Sequence, residues 1–264
     1  MNQKNRTQSP TGKTPLSSAD EAWLREAAGG DEAKLRSLRE QVMTGVPTAY
    51  AAGFLRFRGR RFEIDRRAYV TDPELTHLID VVNAEGREFE RRCGRAPVVA
   101  DFGTGAGTLA ITLQLENPTW AMLGIDVDAG ALDVARANVR SHGVNVRLAQ
   151  SEFFAGWPDD APAPDFIFGD PPWGGDADLY ANERDAAYYH QMPARSAFPP
   201  GDNPCAIHDA LIASVRDRRW PSRLILNYGV LARAVVERST AGFRDRRMAH
   251  PAPGLTIVSG SVAT

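Results

Sequence analysis

Apolar and polar positions alternate with two different periods along this chain, and the switches between them mark its elements. Short apolar runs beginning at Val98 and at 121–127, 144–148, 165–169 and 223–226 read as strands. Between them apolar residues recur every three or four positions. Leu109 to Leu115, then Leu132, Val134, Ala135 and Val139 within 128–141, then 207–218 and 231–240 read as helices. Runs near 244–249 and 255–262, with no helix between them, read as an antiparallel edge. Strands alternating with helices in this way predict an α/β fold, a doubly wound, mostly parallel seven-stranded sheet with helices on both faces.

Upstream the pattern weakens. Residues 1–18 are mostly polar with almost nothing to bury and read as a disordered tail. Trp23-Leu24 and Ala27-Ala28 suggest a short helix ended by Gly29-Gly30, and Asp31 is placed to cap a second one through Val42. Residues 54–64 alternate around Gly59 as a hairpin. Two short helices cannot build a core of their own, so 19–70 reads as a small helical segment plus hairpin attached to a large domain at 71–264. That domain opens with a helix start at Thr71-Asp72-Pro73-Glu74.

Chemistry enters where the first strand ends. Asp101-Phe102-Gly103-Thr104-Gly105-Ala106-Gly107 is a strand–turn–helix junction, with glycines where backbone must bend sharply or pass close to a ligand. A dinucleotide fingerprint would need glycine where Thr108 stands. The D-x-G-x-G-x-G spacing resembles instead the first motif of S-adenosylmethionine-dependent methyltransferases. Asp101 is then a candidate acceptor for the cofactor's ammonium group. Asp126, ending the second strand, is a candidate acceptor for both ribose hydroxyls. Thr104, Val127, Glu152 and Phe153 join the same expected cofactor-binding set, Glu152 and Phe153 for an adenine amine and ring face.

Directly after the fourth strand stands Asp170-Pro171-Pro172-Trp173. Two prolines fix the backbone and carry no N–H, so the carbonyl between them is presented rigidly. Asp170 adds a second acceptor and Trp173 a flat wall. Two acceptors and a stacking face suit an NH₂ group on a planar carbon: an amide, a guanidinium or a nucleobase amine. Such nitrogens are poor nucleophiles, and orienting the lone pair is the useful help.

Composition adds bounds. A net charge of −2 supplies no global field toward nucleic acid or anionic membrane, and only Lys4, Lys13 and Lys34 of the 31 basic residues are lysine. Cys93 and Cys205 are isolated, which points to a reducing compartment and no metal site. Without a long apolar run the chain is expected to be cytoplasmic.

From about Gly45 to the C-terminus the sequence resembles the HemK/PrmC-type methyltransferases, which methylate a glutamine side-chain amide in peptide-release factors. The resemblance rests on Val46-Pro47-Thr48-Ala49-Tyr50 before the hairpin, D-F-G-T-G-A-G, Asp126, Gln150-Ser151-Glu152-Phe153-Phe154 and the D-P-P-W tetrad. It implies a class I, Rossmann-like methyltransferase domain, S-adenosylmethionine as cofactor, and a substrate nitrogen held by Asp170, Pro171, Pro172 and Trp173.

The departures bear on the substrate. The family tetrad reads N-P-P-Y, and aspartate when ionised only accepts. Thr71 to Thr76 replaces a family arginine with an acid, and the N-terminal helical domain is reduced to the two short helices. The loop 174–205 carries Asp176, Asp178, Glu183, Asp185 and Asp202 against Arg184 and Arg195, with Tyr180, Tyr188 and Tyr189 as candidate lid residues. These features favour a small, donor-rich substrate such as the guanidinium of arginine. A release-factor glutamine is the alternative, and an adenine amine in nucleic acid a third, against which the lack of a basic patch stands. A non-catalytic cofactor-binding subunit is the reading from another class. His190 and His208 are left without an assigned role.

Overall fold

The computed structural model of the chain describes residues 16–175, 178 and 186–262, with backbone alone at 186 and 187. Residues 1–15 and the loop residues Asp176, Tyr180, Glu183, Arg184 and Asp185 lie outside the described residues.

Two helices, α1 (Ser18–Ala28) and α2 (Glu32–Met43), open the fold. Ser17, placed in the tail by its polar neighbours, instead caps α1 in a capping box with Asp20. Leu24, Ala28, Leu35 and Leu38 form a small core between the two helices. A further short helix that the sequence pattern missed, α3 (Thr48–Ala52), leads into the hairpin β1 (Phe54–Phe57) and β2 (Arg60–Glu63). Trp23 packs on Phe54 at 5.9 Å, joining the small core to the hairpin.

A 3₁₀ turn at Pro73–Leu75 starts α4 (Thr76–Cys93), and the large sheet follows. Its parts in order are β3 (Val98–Phe102), α5 (Thr108–Glu116), β4 (Ala121–Asp126), α6 (Ala129–His142), β5 (Val146–Gln150) and β6 (Phe166–Gly169). After the short helices α7 (Ala186–Tyr189) and α8 (Ala194–Ala197) come α9 (Ala206–Asp217), β7 (Arg223–Asn227), α10 (Arg233–Ser239), β8 (Phe243–Ala252) and β9 (Leu255–Val262). The seven strands lie in the order β5-β4-β3-β6-β7-β9-β8. The first five are parallel, and β9 runs antiparallel to both its neighbours.

Successive strand residues face opposite sides, so the central strands must be apolar throughout. Val99, Met122, Phe166, Phe168 and Ile225 enter one core with α4, α5, α6 and the hairpin. Ala100, Leu123, Ile167, Leu224 and Leu226 enter the other, covered by Leu211, Ile212 and Val215 of α9. Each large apolar side chain buried there contributes about 1.5–3 kcal/mol.

Strand β5 starts two residues later than its apolar run suggests. The reason is the end of α6: Gly143 turns left-handed at φ 63°, and the Val144 N–H closes on the Val139 carbonyl, so Val144 caps the helix instead of pairing.

The small segment is fixed to the large one by Asn138 of α6, whose amide accepts from the Glu63 N–H at 2.7 Å and donates to the Glu63 carbonyl at 2.9 Å. The same Asn138 amide donates to the Ala106 carbonyl at 2.9 Å. One side chain therefore holds the hairpin and the glycine loop together.

Candidate active site

The parallel strands all end on one side, and a cavity of about 990 Å³ opens there, within the size range of small-ligand sites. Its first wall is the loop after β3. Gly103 and Gly105 have φ of 71° and 55°, and a Cβ on either would project into almost empty space. Glycine is needed here for the backbone turn, and it leaves bare main chain facing the cavity.

Not every residue of that motif reaches the ligand space. The Asp101 carboxyl is buried beneath the loop, where it accepts from the Thr104 hydroxyl at 2.8 Å and the Ala110 N–H at 3.2 Å. Burial pushes it up to about 7. Gly107 caps α5 at φ 79° and faces Ile111 and Ala135. Neither Asp101 nor Gly107 is among the residues lining the cavity; Asp101 holds the loop through Oδ2, and its buried Oδ1 has no partner among the described residues.

Thr104, Asp126, Val127, Glu152 and Phe153 do line it, beside Gly103 and Gly105. Asp126 accepts from the Gly105 N–H at 2.8 Å and the Asp128 N–H at 2.9 Å, and burial raises its pKa. Each carboxylate oxygen keeps a lone pair for a hydroxyl. Val127 is 38% exposed, an apolar side chain left open at the cavity edge. Phe153, held at φ 49°, stacks on Phe102 with the rings 5.7 Å apart and 19° from parallel. An acid beside bare main chain, followed by an open apolar side chain and an aromatic face, fits a ribose and an adenine ring. S-adenosylmethionine carries both.

The second wall is the tetrad. Asp170, Pro171, Pro172 and Trp173 all line the cavity, directly after β6. Burial pushes the Asp170 carboxyl up to about 6, against the lowering effect of donors from Asn227 and Trp173. The Asn227 Nδ2 donates to its Oδ1 at 2.7 Å. Asn227 ends β7, and its orientation is fixed because its own Oδ1 accepts from the Gly229 N–H at 2.8 Å. His208 of α9 lies 2.8 Å from the Asn227 carbonyl, which can only accept, so His208 donates from Nε2. Burial lowers that imidazole to about 4 and keeps it neutral. Asn227 and Gly229 carry no motif and lie more than fifty positions from the tetrad, so sequence reasoning misses them.

The loop after the tetrad closes the third side. Tyr189, Arg195 and Phe198 line the cavity from α7, α8 and their connections. The Tyr50 hydroxyl lies 2.6 Å from the Ala68 carbonyl and 3.1 Å from the Met192 sulfur, and Arg66 donates to Gln191 at 2.7 Å. The hairpin segment thus supports the lid. Of the expected acidic rim, Asp176, Glu183 and Asp185 lie outside the described residues; Asp178 accepts from the Gly175 N–H and Asp202 faces solvent, while the loop charge among the described residues lining the cavity is Arg195. The cavity's acids come from Asp72, Glu74, Asp126, Asp128, Glu152 and Asp170.

Comparison with known proteins places this geometry. The family model described as methyltransferase small domain matches residues 87–183. The hMettl16 catalytic domain, solved in complex with the MAT2A 3'UTR hairpin 6, superposes with a TM-score of 0.54 at 14% identity, covering 76% of this chain and 74% of that one; it shares the fold. Residues 87–183 thus match a methyltransferase domain, and the fold agrees with that match. In sequence the chain is similar to the release factor glutamine methyltransferases. It is 31% identical over 167 residues to that of Neisseria gonorrhoeae, covering 61% of this chain and 58% of the relative. It is 35% identical over 150 residues to that of Chlorobaculum tepidum, covering 54% and 49%. The chain thus spans about half the length of these curated relatives. No helix among the described residues is long and apolar enough to cross a membrane.

Proposed function

We propose that the chain methylates the side-chain amide nitrogen of a glutamine in a protein substrate of the release-factor type. The observation that carries this reading is the setting of Asp170. The preference for a guanidinium rested on a free, ionised aspartate under an acidic loop. Asp170 instead sits half-buried at the cavity wall, engaged by two neutral donors of its own chain, Asn227 and Trp173. Placing a full cation against it would bury an ion pair, whose desolvation offsets much of the attraction. A neutral amide carries no such cost, and the curated relatives are named for that substrate.

The bound cofactor supplies an electrophilic methyl on a sulfonium. Asp170 and the Pro171 carbonyl accept the two amide hydrogens and aim the nitrogen lone pair out of the amide plane, while Trp173 walls the flat group. Held there, S-adenosylmethionine would supply the methyl group for the new N–C bond and its sulfur would keep the electrons of the methyl–sulfur bond. The nitrogen's surplus proton passes to Asp170, a stronger base than an exposed carboxylate because burial has raised it to about 6.

The test is transfer from methyl-labelled S-adenosylmethionine to a purified bacterial release factor, beside a filtered small-molecule extract. Label on the release factor supports the reading. Label confined to the small-molecule fraction overturns it in favour of the guanidinium or another small acceptor.

A further inference from the structure

The Asn227 amide nitrogen has two hydrogens, and the structure accounts for one. That one goes to Asp170 Oδ1, and the amide oxygen is held by the Gly229 N–H, so the side chain cannot flip without breaking both bonds. Among the described residues no acceptor takes the second hydrogen. The residue is 4% exposed, yet it lines the cavity beside the tetrad. A buried donor with nothing to bond is costly, so a donor left open beside a binding surface selects for a ligand that brings an acceptor.

Resting on the glutamine reading, we propose that Asn227 is the residue that reads the acceptor's carbonyl oxygen. Asp170 and the Pro171 carbonyl take the two N–H groups of the substrate carboxamide, and the second Nδ2 hydrogen of Asn227 donates to its C=O. Both ends of a primary amide are then satisfied. A guanidinium or ammonium has only donors and would set N–H against N–H at this point. The aspartate of the tetrad, which lacks the donor an asparagine would bring, is thereby complemented from the neighbouring strand. Asn227 makes the pocket specific for a neutral carboxamide.

The test uses the full chain loaded with S-adenosylhomocysteine and two probes, N-acetylglutamine methylamide and N-acetylarginine methylamide, titrated by saturation-transfer NMR. The wild type is expected to favour the glutamine probe. Asn227→Ala should weaken that probe by roughly tenfold, the value of one lost hydrogen bond of ~1.4 kcal/mol, with S-adenosylhomocysteine affinity held close to wild type and Tm lowered by the loss of its bonds to Asp170 and Gly229. Asn227→Asp, which sets a second acid beside Asp170, should reverse the preference toward arginine. Unchanged glutamine-probe binding in Asn227→Ala, an equal loss of S-adenosylhomocysteine affinity, a wild type that favours arginine, or one that binds no glutamine probe would each overturn the inference. Labelling of the release factor is read separately. A labelled release factor with an indifferent Asn227 leaves the substrate reading standing, and an unlabelled one with an Asn227-dependent carboxamide preference leaves the inference standing.

Discussion

The indole of Trp173 occupies the space where a Cβ on Gly229 would stand. The tetrad's wall therefore lies flat only because the turn after β7 has no side chain, and that turn is left-handed at φ 53°. Gly229→Ala should displace the indole and lower methyl transfer by at least roughly tenfold, with a stability cost of about 1–3 kcal/mol from the backbone strain and overlap together. Cofactor affinity, read by calorimetry, should stay near wild type, since Gly229 is not among the residues lining the cavity. A variant with equal activity would show that the flat wall is not needed.

Asp170 can take up the nitrogen's surplus proton only when it is ionised. Its pKa of about 6 predicts that kcat/KM falls tenfold per pH unit below that value, because kcat/KM reports the free enzyme. In Asp170→Asn this acid limb should vanish, leaving a lower and flatter profile. A limb that persists in the variant would assign it to another group.

Buried Asp101 gives a stability prediction of the opposite sense to an ordinary salt-bridged acid. Its pKa rises from 3.8 to about 7 on folding, so between those values the folded state holds the proton and the unfolded state has lost it. Stability from this group is thus greatest below pH 4 and falls as pH rises toward 7. His208, lowered from 6.5 to about 4, acts the other way and favours the folded state more as pH rises across that window. Comparing Asp101→Asn with wild type isolates the first effect. The variant should gain Tm at pH 8 relative to wild type, and the gain should shrink to nothing near pH 4. A constant offset at both pH values would count against a buried, uncompensated charge.

Asp126 holds the glycine loop and faces the cavity at once. Asp126→Ala removes the acceptor for the Gly105 N–H and the expected partner of the ribose hydroxyls. Affinity for S-adenosylhomocysteine, measured by calorimetry, should fall by about 10- to 100-fold, the worth of one or two hydrogen bonds to a charged group. A Kd within twofold of wild type would remove Asp126 from the cofactor site.

The fold was legible in the sequence because its central strands are buried on both faces and so read as unbroken apolar runs bounded by Gly, Pro and Asp. The two walls of the site were legible because glycines and prolines serve backbone needs that few other residues meet. What could not be read was how each side chain is used. Asp101 and Gly107 belong to the same motif as Gly103 and Gly105, and only their direction, downward into the core, separates them. Asn227 is a neutral residue ending an ordinary strand, and its meaning comes from Asp170 across the sheet. Asp178 and Asp202, the described acids of the loop, do not line the cavity, because charge in a sequence has no direction until the backbone gives it one.

The strand order carries a cost during synthesis. Strand β7 pairs with β6 on one side, and on the other side only with β9, which is made of residues 255–262. Until those residues leave the ribosome, Leu224, Ile225 and Leu226 form an apolar sheet edge with an unpaired backbone, the kind of surface on which nascent chains aggregate. The turn at Pro253-Gly254 and Leu255 also line the cavity. The growing chain can therefore neither protect its central sheet nor shape its pocket until β9 is made, and expression yield should respond more sharply to lesions in β9 than to lesions in α1 and α2.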